Sequence, residues 1–187
     1  MFQRGFKAWC ERYAVDKRLE LGIEPYAPLD SFKLAEHLGI QVCTPNDIKG
    51  LSQQSLDVLL FNDGKTASCW SAVTLLAANK TLIILNSSHS IGRQASDLTH
   101  ELAHRILEHK THEMSVSADG VMLLSSYDKE QEDEADWLSS SLLLPREALV
   151  SIKRKGLGPE ESARAYGVSL SMLKYRMAMS GVNRQFA

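Results

Sequence analysis

Apolar side chains recur at helical intervals at the start of the chain. Residues 2–20 carry five large ones: Phe2, Phe6, Trp9, Tyr13 and Leu19. This spacing predicts an amphipathic helix. After a turn that contains two prolines, Asp30 or Ser31 can cap a second, short helix, SFKLAEHLG, which ends at Gly39.

The middle of the chain has the short apolar runs that are typical of β-strands. Four segments have this character: IQVCT, DVLLF, CWSAVTLLA and TLIILN. The turn-forming sequences NDGK and ANK stand between them. Short strands joined by tight turns predict a small, mostly antiparallel sheet.

The second half of the chain returns to a helical pattern. After NSSHS, which offers several capping side chains, a helix is predicted to run to about His109. Residues 110–128 are polar and irregular apart from one short apolar run. A further helix is predicted from about Lys129 to Leu144, where Pro145 stops it. The pattern as a whole indicates the α+β class, with a helical domain and a small sheet.

The composition is that of one ordinary globular domain. The chain has 187 residues, of which 44% are hydrophobic and 24% charged, so a single domain over residues 1–187 is expected. The first twenty residues lack the uninterrupted apolar run of a signal peptide or a membrane span. The three cysteines are far apart and form no C-x-x-C pair. We therefore expect a cytoplasmic protein with reduced cysteines and no membrane partner.

Charge is distributed unevenly along the chain. Residues 151–187 carry seven Lys or Arg and two Glu, a net charge of +5 in a chain whose total is −2. Within this segment, SARAYGVSLSMLKYRM has helix-turn-helix spacing, with Gly167 four residues after Ala163 and Leu173 directed inward. A basic helix-turn-helix can bind DNA, but two short helices around a glycine also occur as ordinary parts of a fold. We interpret the segment as part of the same domain and keep DNA binding as an alternative.

The candidate chemistry lies in the stretch LTHELAHRILEH. His100 and His104 are about 40° apart around a helix, so both imidazoles can reach one metal ion. Glu101 lies about 100° further round, where it can reach a water molecule on that ion. His109 falls on the opposite face and is predicted to pack in the core. That face is otherwise apolar and carries Leu98, Leu102 and Ile106.

Two histidines do not hold a catalytic zinc, so a third protein ligand is needed. The extended motif H-E-x-x-H-x-x-G-x-x-H fails, because Leu107 and Lys110 occupy its last two positions. A carboxylate from the next helix, EQEDEADWLSSSLLLP, is the other source. Glu132 would complete a His–His–Glu site, and Asp136, on the same face, could accept a hydrogen bond from a ligand histidine. The alternative is a solvated acidic helix start, which is how we interpret Glu130, Asp133 and Glu134.

These motifs together resemble the ImmA/IrrE family of metallo-endopeptidases. The resemblance rests on HSIGRQASDLTHELAHRILEH, EQEDEADWLSSSLLLP and SARAYGVSLSMLKYRMAMSG, and it extends upstream to LAEHLGI and the CWSAV and TLIILN strands. It implies a zinc-dependent, gluzincin-like protease with a two-helix core, of a kind often encoded by phages or mobile genetic elements. It also implies one general base, Glu101, and three zinc ligands: His100, His104 and Glu132. Three positions depart from the commonest family sequence: Asp136, Leu138 and Ser139.

The resemblance also implies a function. Known targets of the family include helix-turn-helix repressors, so we expect an endopeptidase that uses Zn²⁺ to cleave such a repressor and relieve repression. The alternative is a non-proteolytic regulator of the same fold that acts by protein or DNA contact. The strand TLIILN is expected to align an extended substrate. The residue that stabilises the oxyanion stays open among five candidates: His89, Arg93, His112, Tyr127 and Tyr166.

Overall fold

The computed structural model describes residues 2–66, 68, 70–77, 80–109, 114–116, 122–124 and 128–186. Its strands are β1 (Gln41–Cys43), β2 (Ala72–Ala77), β3 (Lys80–Leu85), β4 (Met114–Val116) and β5 (Met122–Leu124). Its α-helices are α1 (Phe6–Glu20), α2 (Ser31–His37), α3 (Gln53–Leu59), α4 (Ile91–Ile106), α5 (Lys129–Leu143), α6 (Arg146–Lys155), α7 (Pro159–Ala165), α8 (Leu170–Met179) and α9 (Val182–Gln185). A short 3-10 helix spans Pro45–Asp47.

Capping side chains set the start of two helices close to their predicted positions. The Asp30 carboxylate accepts hydrogen bonds from two backbone amides in the first turn of α2, at 2.9 and 3.3 Å. Asp128 does the same for α5, at 3.0 and 3.4 Å. Each cap satisfies amides that have no partner within the helix. The α5 cap fixes where the helix begins, and it therefore fixes which face Glu132 occupies.

The main sheet has three strands in the order β1–β3–β2. β2 runs antiparallel to β3, with Thr74 opposite Ile83, whereas β1 runs parallel to β3, with Val42 opposite Ile83. β4 and β5 form a separate antiparallel pair. The α+β class is confirmed, and the expected hairpin is present as β2–β3. Because the parallel strand β1 flanks β3, the sheet is mixed and β3 is its central strand.

The strand predicted at DVLLF is wrong, because this segment lies at the end of α3 and just beyond it. Ser52 caps this helix by accepting a hydrogen bond from the backbone amide of Ser55 at 3.1 Å. The side chain of Gln53 donates to Asp57 one turn later, at 2.8 Å. A cap and an i,i+4 pair stabilise a helix locally, and here they outweigh the β-preference of a short apolar run.

The two helices that carry the candidate motifs pack against each other in the core, with α1 on α5. Leu98 and Leu102 of α4 and Leu138 and Leu142 of α5 are fully buried. Each such leucine contributes about 2 kcal/mol by leaving water. The apolar face predicted for α4 is therefore confirmed, and its burial directs the opposite face of the helix away from the core.

Two buried arginines hold the C-terminal end of α5. Arg18 donates to the carbonyl of Leu143 at 3.2 Å, and Arg176 donates to the carbonyl of Leu144 at 3.0 Å. Arg176 also forms an ion pair with Glu11 of α1 at 2.6 Å. Burial lowers the pKa of Arg18 to about 10, so its guanidinium is still charged at neutral pH. Both cations lie at the negative end of the helix dipole and fix α5 relative to α1 and α8.

The C-terminal helices form a second apolar cluster that adjoins the core. Their contact with α4 is close at Gly92, where a Cβ atom would lie 3.2 Å from the carbonyl carbon of Val168. A side chain at this position would require one of the two backbones to shift by a few tenths of an ångström. The turn before α8 therefore packs against α4, and α8 itself contacts α5. Within the described residues, no helix combines the length and the apolar character needed to cross a membrane.

Candidate metal centre

Three side chains from α4 and α5 converge on one point. The Nε2 atoms of His100 and His104 are 3.0 Å apart. Glu132 places Oε2 at 3.2 Å from the first of these atoms and Oε1 at 3.5 Å from the second. Zinc ligands lie at the corners of a tetrahedron with edges of about 3.3 Å, given bonds of about 2.0–2.1 Å. The spacing and the chemistry of these imidazole and carboxylate donors fit such an ion.

His100 is oriented by the second carboxylate that the sequence singled out. Its Nδ1 atom lies 3.0 Å from Oδ1 of Asp136, so the Nδ1–H donates to this carboxylate and the Nε2 lone pair faces Glu132. Burial acts to lower the pKa of His100. The hydrogen bond and charge of Asp136, with the charges of Glu101 and Glu132, outweigh this effect and raise the pKa above its ordinary value.

Glu101 lies beside the three converging side chains and is hydrogen-bonded to a residue of the sheet. The hydroxyl of Thr74 on β2 donates a short hydrogen bond to Oε2 of Glu101. The contact exists because β2 packs against α4, which no local sequence pattern reveals. Sequence reasoning therefore missed Thr74. The alternation of side chains along β2 could have shown that Thr74 shares a face with Ala72, but not that this face meets Glu101.

The side chain of His109 is largely shielded from solvent, but it does not lie on the back face of α4. The helix ends at Ile106, before His109. The His109 ring turns back toward the site, with its Nδ1 atom 3.0 Å from Nδ1 of His104. Its Nε2 atom is 3.3 Å from Oε2 of Glu134. The predicted face of His109 and the purely solvated role of Glu134 are therefore both wrong.

Three of the five candidates for stabilising the oxyanion have structural partners. His89 is buried and bonds Asp97 through Nδ1 at 3.1 Å. Arg93 is half-exposed and forms an ion pair near the start of α4, also with Asp97, at 3.6 Å. The Tyr166 hydroxyl donates to a backbone carbonyl between α1 and α2 at 2.8 Å. The two remaining candidates lie outside the described residues: His112 and Tyr127.

A groove adjoins the centre on the side of the C-terminal helices. It has a volume of about 660 Å³ and lies between α4, α5 and α8. Asp136 lines one part of it, and Arg93, Met172 and Tyr175 line others, together with six serines. Because Asp136 also contacts His100, the groove opens next to the three converging donors. Its size is within the range of ligand-binding clefts.

A His–His–Glu donor set on two packed helices, with a glutamate beside it and a small sheet alongside, is compatible with the metal site of a metallopeptidase. The chain matches the family model described as the IrrE N-terminal-like domain, Peptidase_M78, over residues 35–178. This match covers more than half of the chain, and the protein belongs to this family. Membership in a metallopeptidase family and the donor set are both compatible with a bound metal.

Solved structures also resemble this chain, and one of them is a Mycobacterium tuberculosis transcriptional regulator. The two structures superpose with a TM-score of 0.50 and 12% sequence identity, over 95% of this chain and 48% of the regulator. This chain thus spans about half the length of that protein. At such low identity the likeness shows the fold alone. No protein with a curated description matches the sequence significantly.

Proposed function

We propose that the protein is a zinc-dependent endopeptidase. His100, His104 and Glu132 are its metal ligands, and Glu101 is its general base. The observation that carries the proposal is the convergence of three side chains from α4 and α5, with nitrogen and oxygen atoms 3.0 to 3.5 Å apart and next to Glu101. Membership in a peptidase family supports the reaction class.

The proposed role of each side chain in the reaction follows from its position. A zinc ion held by these ligands would supply Lewis acidity, polarising the scissile carbonyl and making the attacking water a stronger acid. Glu101 accepts the proton of the attacking water and delivers it to the nitrogen of the leaving amine. The hydroxyl of Thr74 donates to Oε2 of Glu101, which would leave Oε1 to accept from the water. Asp136 keeps the proton of His100 on Nδ1, so that Nε2 is available as a ligand atom.

The sheet offers a place for an extended substrate, although not on the strand expected from the sequence. TLIILN forms the central strand β3, whose two edges are occupied by β1 and β2. In the described part of the chain β1 and β2 are the edge strands of this sheet, and of the two β2 carries Thr74 next to Glu101. We therefore place the substrate backbone along β2, where it would add a strand to the sheet. The groove beside Asp136 then receives a neighbouring substrate side chain.

The proposed substrate is a helix-turn-helix repressor, whose cleavage would relieve repression. The resemblance to the ImmA/IrrE family motivates this choice, because known targets in that family are of this kind. A structural neighbour described as a transcriptional regulator fits a role in the control of transcription. The same description favours a second candidate function, in which the protein regulates transcription by contact without proteolysis.

Co-expression with the product of a neighbouring regulator gene tests the proposal. The partner is followed by mass spectrometry in cells that produce the wild type, Glu101→Gln or Glu36→Gln. The last variant makes the same chemical change on the exposed face of α2 and is the matched control. A discrete fragment with the wild type and the control, absent with Glu101→Gln, supports proteolysis. An intact partner with relieved repression would favour the non-proteolytic regulator.

A further inference from the structure

The two histidines of the centre are oriented in different ways. His100 contacts a carboxylate directly, whereas Nδ1 of His104 lies 3.0 Å from Nδ1 of His109. His109 in turn places Nε2 3.3 Å from Oε2 of Glu134. We propose that His109 and Glu134 are positioning residues that fix the ring and the tautomer of His104 for metal binding. The inference rests on the proposed function in taking His104 as a ligand.

The direction of each hydrogen bond follows from the role of His104. Its Nε2 atom faces His100 and Glu132 and must present a lone pair, so the ring proton lies on Nδ1. This Nδ1–H donates to Nδ1 of His109, which must therefore be an acceptor. The proton of His109 then lies on Nε2, where it donates to the carboxylate of Glu134. The carboxylate can only accept, so it determines the direction of the whole series.

The end of α4 is shaped to bring His109 into this position. The amide of His109 donates to the carbonyl of His104 at 3.0 Å, and the amide of Glu108 donates to that of Arg105 at 3.2 Å. These two bonds are those of a Schellman helix end, in which one residue adopts a left-handed conformation. Glu108 adopts it with φ 54°, and it is the one non-glycine residue with positive φ in the described part of the chain.

A glycine normally fills this position, and a residue with a side chain costs about 1 kcal/mol there. This conformation has a specific consequence. The left-handed backbone at Glu108 directs the chain back over the final turn of α4. Without it, α4 would continue and carry His109 to the apolar face, as the sequence pattern had indicated. The backbone and the ring of His109 instead both meet His104.

The surroundings exclude water from this series of bonds more than from the contact on the other histidine. The His109 side chain is 7% exposed and that of Glu134 is 26% exposed, whereas that of Asp136 is 68% exposed. A hydrogen bond to a carboxylate is stronger when water is excluded. We expect the loss of either positioning residue to weaken metal binding about 10- to 100-fold, as for other partners of ligand histidines.

The test measures zinc affinity by competition with a chromogenic chelator, together with the visible spectrum of the Co²⁺-loaded protein. His109→Leu should weaken zinc binding about 10- to 100-fold and change the Co²⁺ spectrum. His109→Gln should recover most of the affinity, because its amide can accept from His104 and donate to Glu134. Glu134→Ala should also weaken binding. Its matched control, Asp133→Ala, should not, because Asp133 pairs with Lys129 at 2.7 Å.

The possible results separate this inference from the proposed function. Wild-type affinity in His109→Leu and in Glu134→Ala would overturn the positioning role while leaving the proposed metal centre intact. Failure of the wild type to bind zinc would overturn both. Equal loss in His109→Leu and His109→Gln, with wild-type affinity in Glu134→Ala, would reduce His109 to a packing residue and overturn the proposal. If His109→Leu does not fold, Glu134→Ala and His109→Gln still decide.

Discussion

The α4–α5 pair and the α7–α8 pair were both singled out by motif spacing, yet the fold uses them differently. In α4–α5, polar side chains of two helices face each other across a cleft, and three donor atoms lie within 3.5 Å of a neighbour. In α7–α8, the helix-turn-helix residues are used in packing. Leu173 is buried, Arg176 is fully buried, and the turn lies against Gly92.

This difference shows what the spacing of residues along the sequence can and cannot specify. A spacing of four residues places two side chains on one face of a helix, whatever that face meets. Two such side chains can form a binding site when a second element brings complementary polar atoms to the same point, as Glu132 does for the two histidines. They become part of the core when the opposing element is apolar or carries a charge that pairs with them. Arg176 forms an ion pair with Glu11 and donates to the end of α5, so its charge is paired inside the protein.

The strongest test of this contrast removes the third ligand. Glu132→Ala should reduce bound zinc from about one equivalent to near zero and abolish hydrolysis, because two histidines do not hold a catalytic zinc. Lys174→Ala, on the exposed face of α8, should retain both. Elemental analysis of protein purified without chelator measures the metal. Full retention of zinc in Glu132→Ala would mean that the third ligand is elsewhere.

The second test separates metal binding from chemistry within the α4–α5 pair. Glu101→Gln should keep zinc and the fold but lower the rate of peptide hydrolysis about 10²-fold or more, because an amide cannot accept the proton of water. Single-turnover cleavage of a proven substrate gives the rate. Near wild-type cleavage by the zinc-loaded variant would exclude the general-base role.

The third test addresses the α7–α8 pair, where we expect an effect on stability. Arg176→Met should lower the free energy of unfolding by about 3 kcal/mol, because it leaves the Glu11 carboxylate and a helix-end carbonyl without their cation. The exposed Lys174→Met should change it by about 0.5 kcal/mol or less. Urea denaturation of both variants provides the comparison. Unchanged stability of Arg176→Met, with reduced DNA binding in a salt-dependent shift assay, would reverse the interpretation of this region.

The fourth test concerns the contact between the sheet and the general base. Thr74→Val removes the hydroxyl that bonds Glu101 but keeps a β-branched side chain of similar size. We expect kcat to fall about tenfold with little change in KM or zinc content. A hydrogen bond from a hydroxyl to a charged carboxylate contributes about 1.5 kcal/mol. Thr81→Val on β3 is the matched control. Equal kinetics in both variants would show that Thr74 does not orient Glu101.

The smallest expected effect is a gain of stability at the end of α4. Glu108→Gly removes the side chain from a left-handed residue and should raise the free energy of unfolding by up to about 1 kcal/mol. Zinc affinity should not change, because His109 keeps its position. Thermal unfolding and zinc titration are measured on the same preparation. Lower stability, or weaker zinc binding, would indicate that the Glu108 side chain itself contributes to the site.

The helical part of the site could be predicted because its signals are local. The H-E-x-x-H spacing and the acidic helix that follows it are both visible along the chain, and each helix has its own caps. The contacts of Thr74 and Arg176 depend on elements distant in sequence, so no local pattern specifies them. His109 was misplaced for another reason. A helix end with a left-handed residue is usually recognised in a sequence by a glycine, but here the left-handed residue is Glu108.

The claim on which all of this depends is that a metal binds between α4 and α5. Anomalous diffraction from a zinc-soaked crystal, recorded on both sides of the zinc absorption edge, tests it most directly. The account predicts one strong peak at about 2.0–2.1 Å from Nε2 of His100, Nε2 of His104 and a carboxylate oxygen of Glu132. It also predicts that His109 contacts His104 and not the ion. A map without a peak at this point, or with zinc bound only elsewhere in the molecule, would contradict the account.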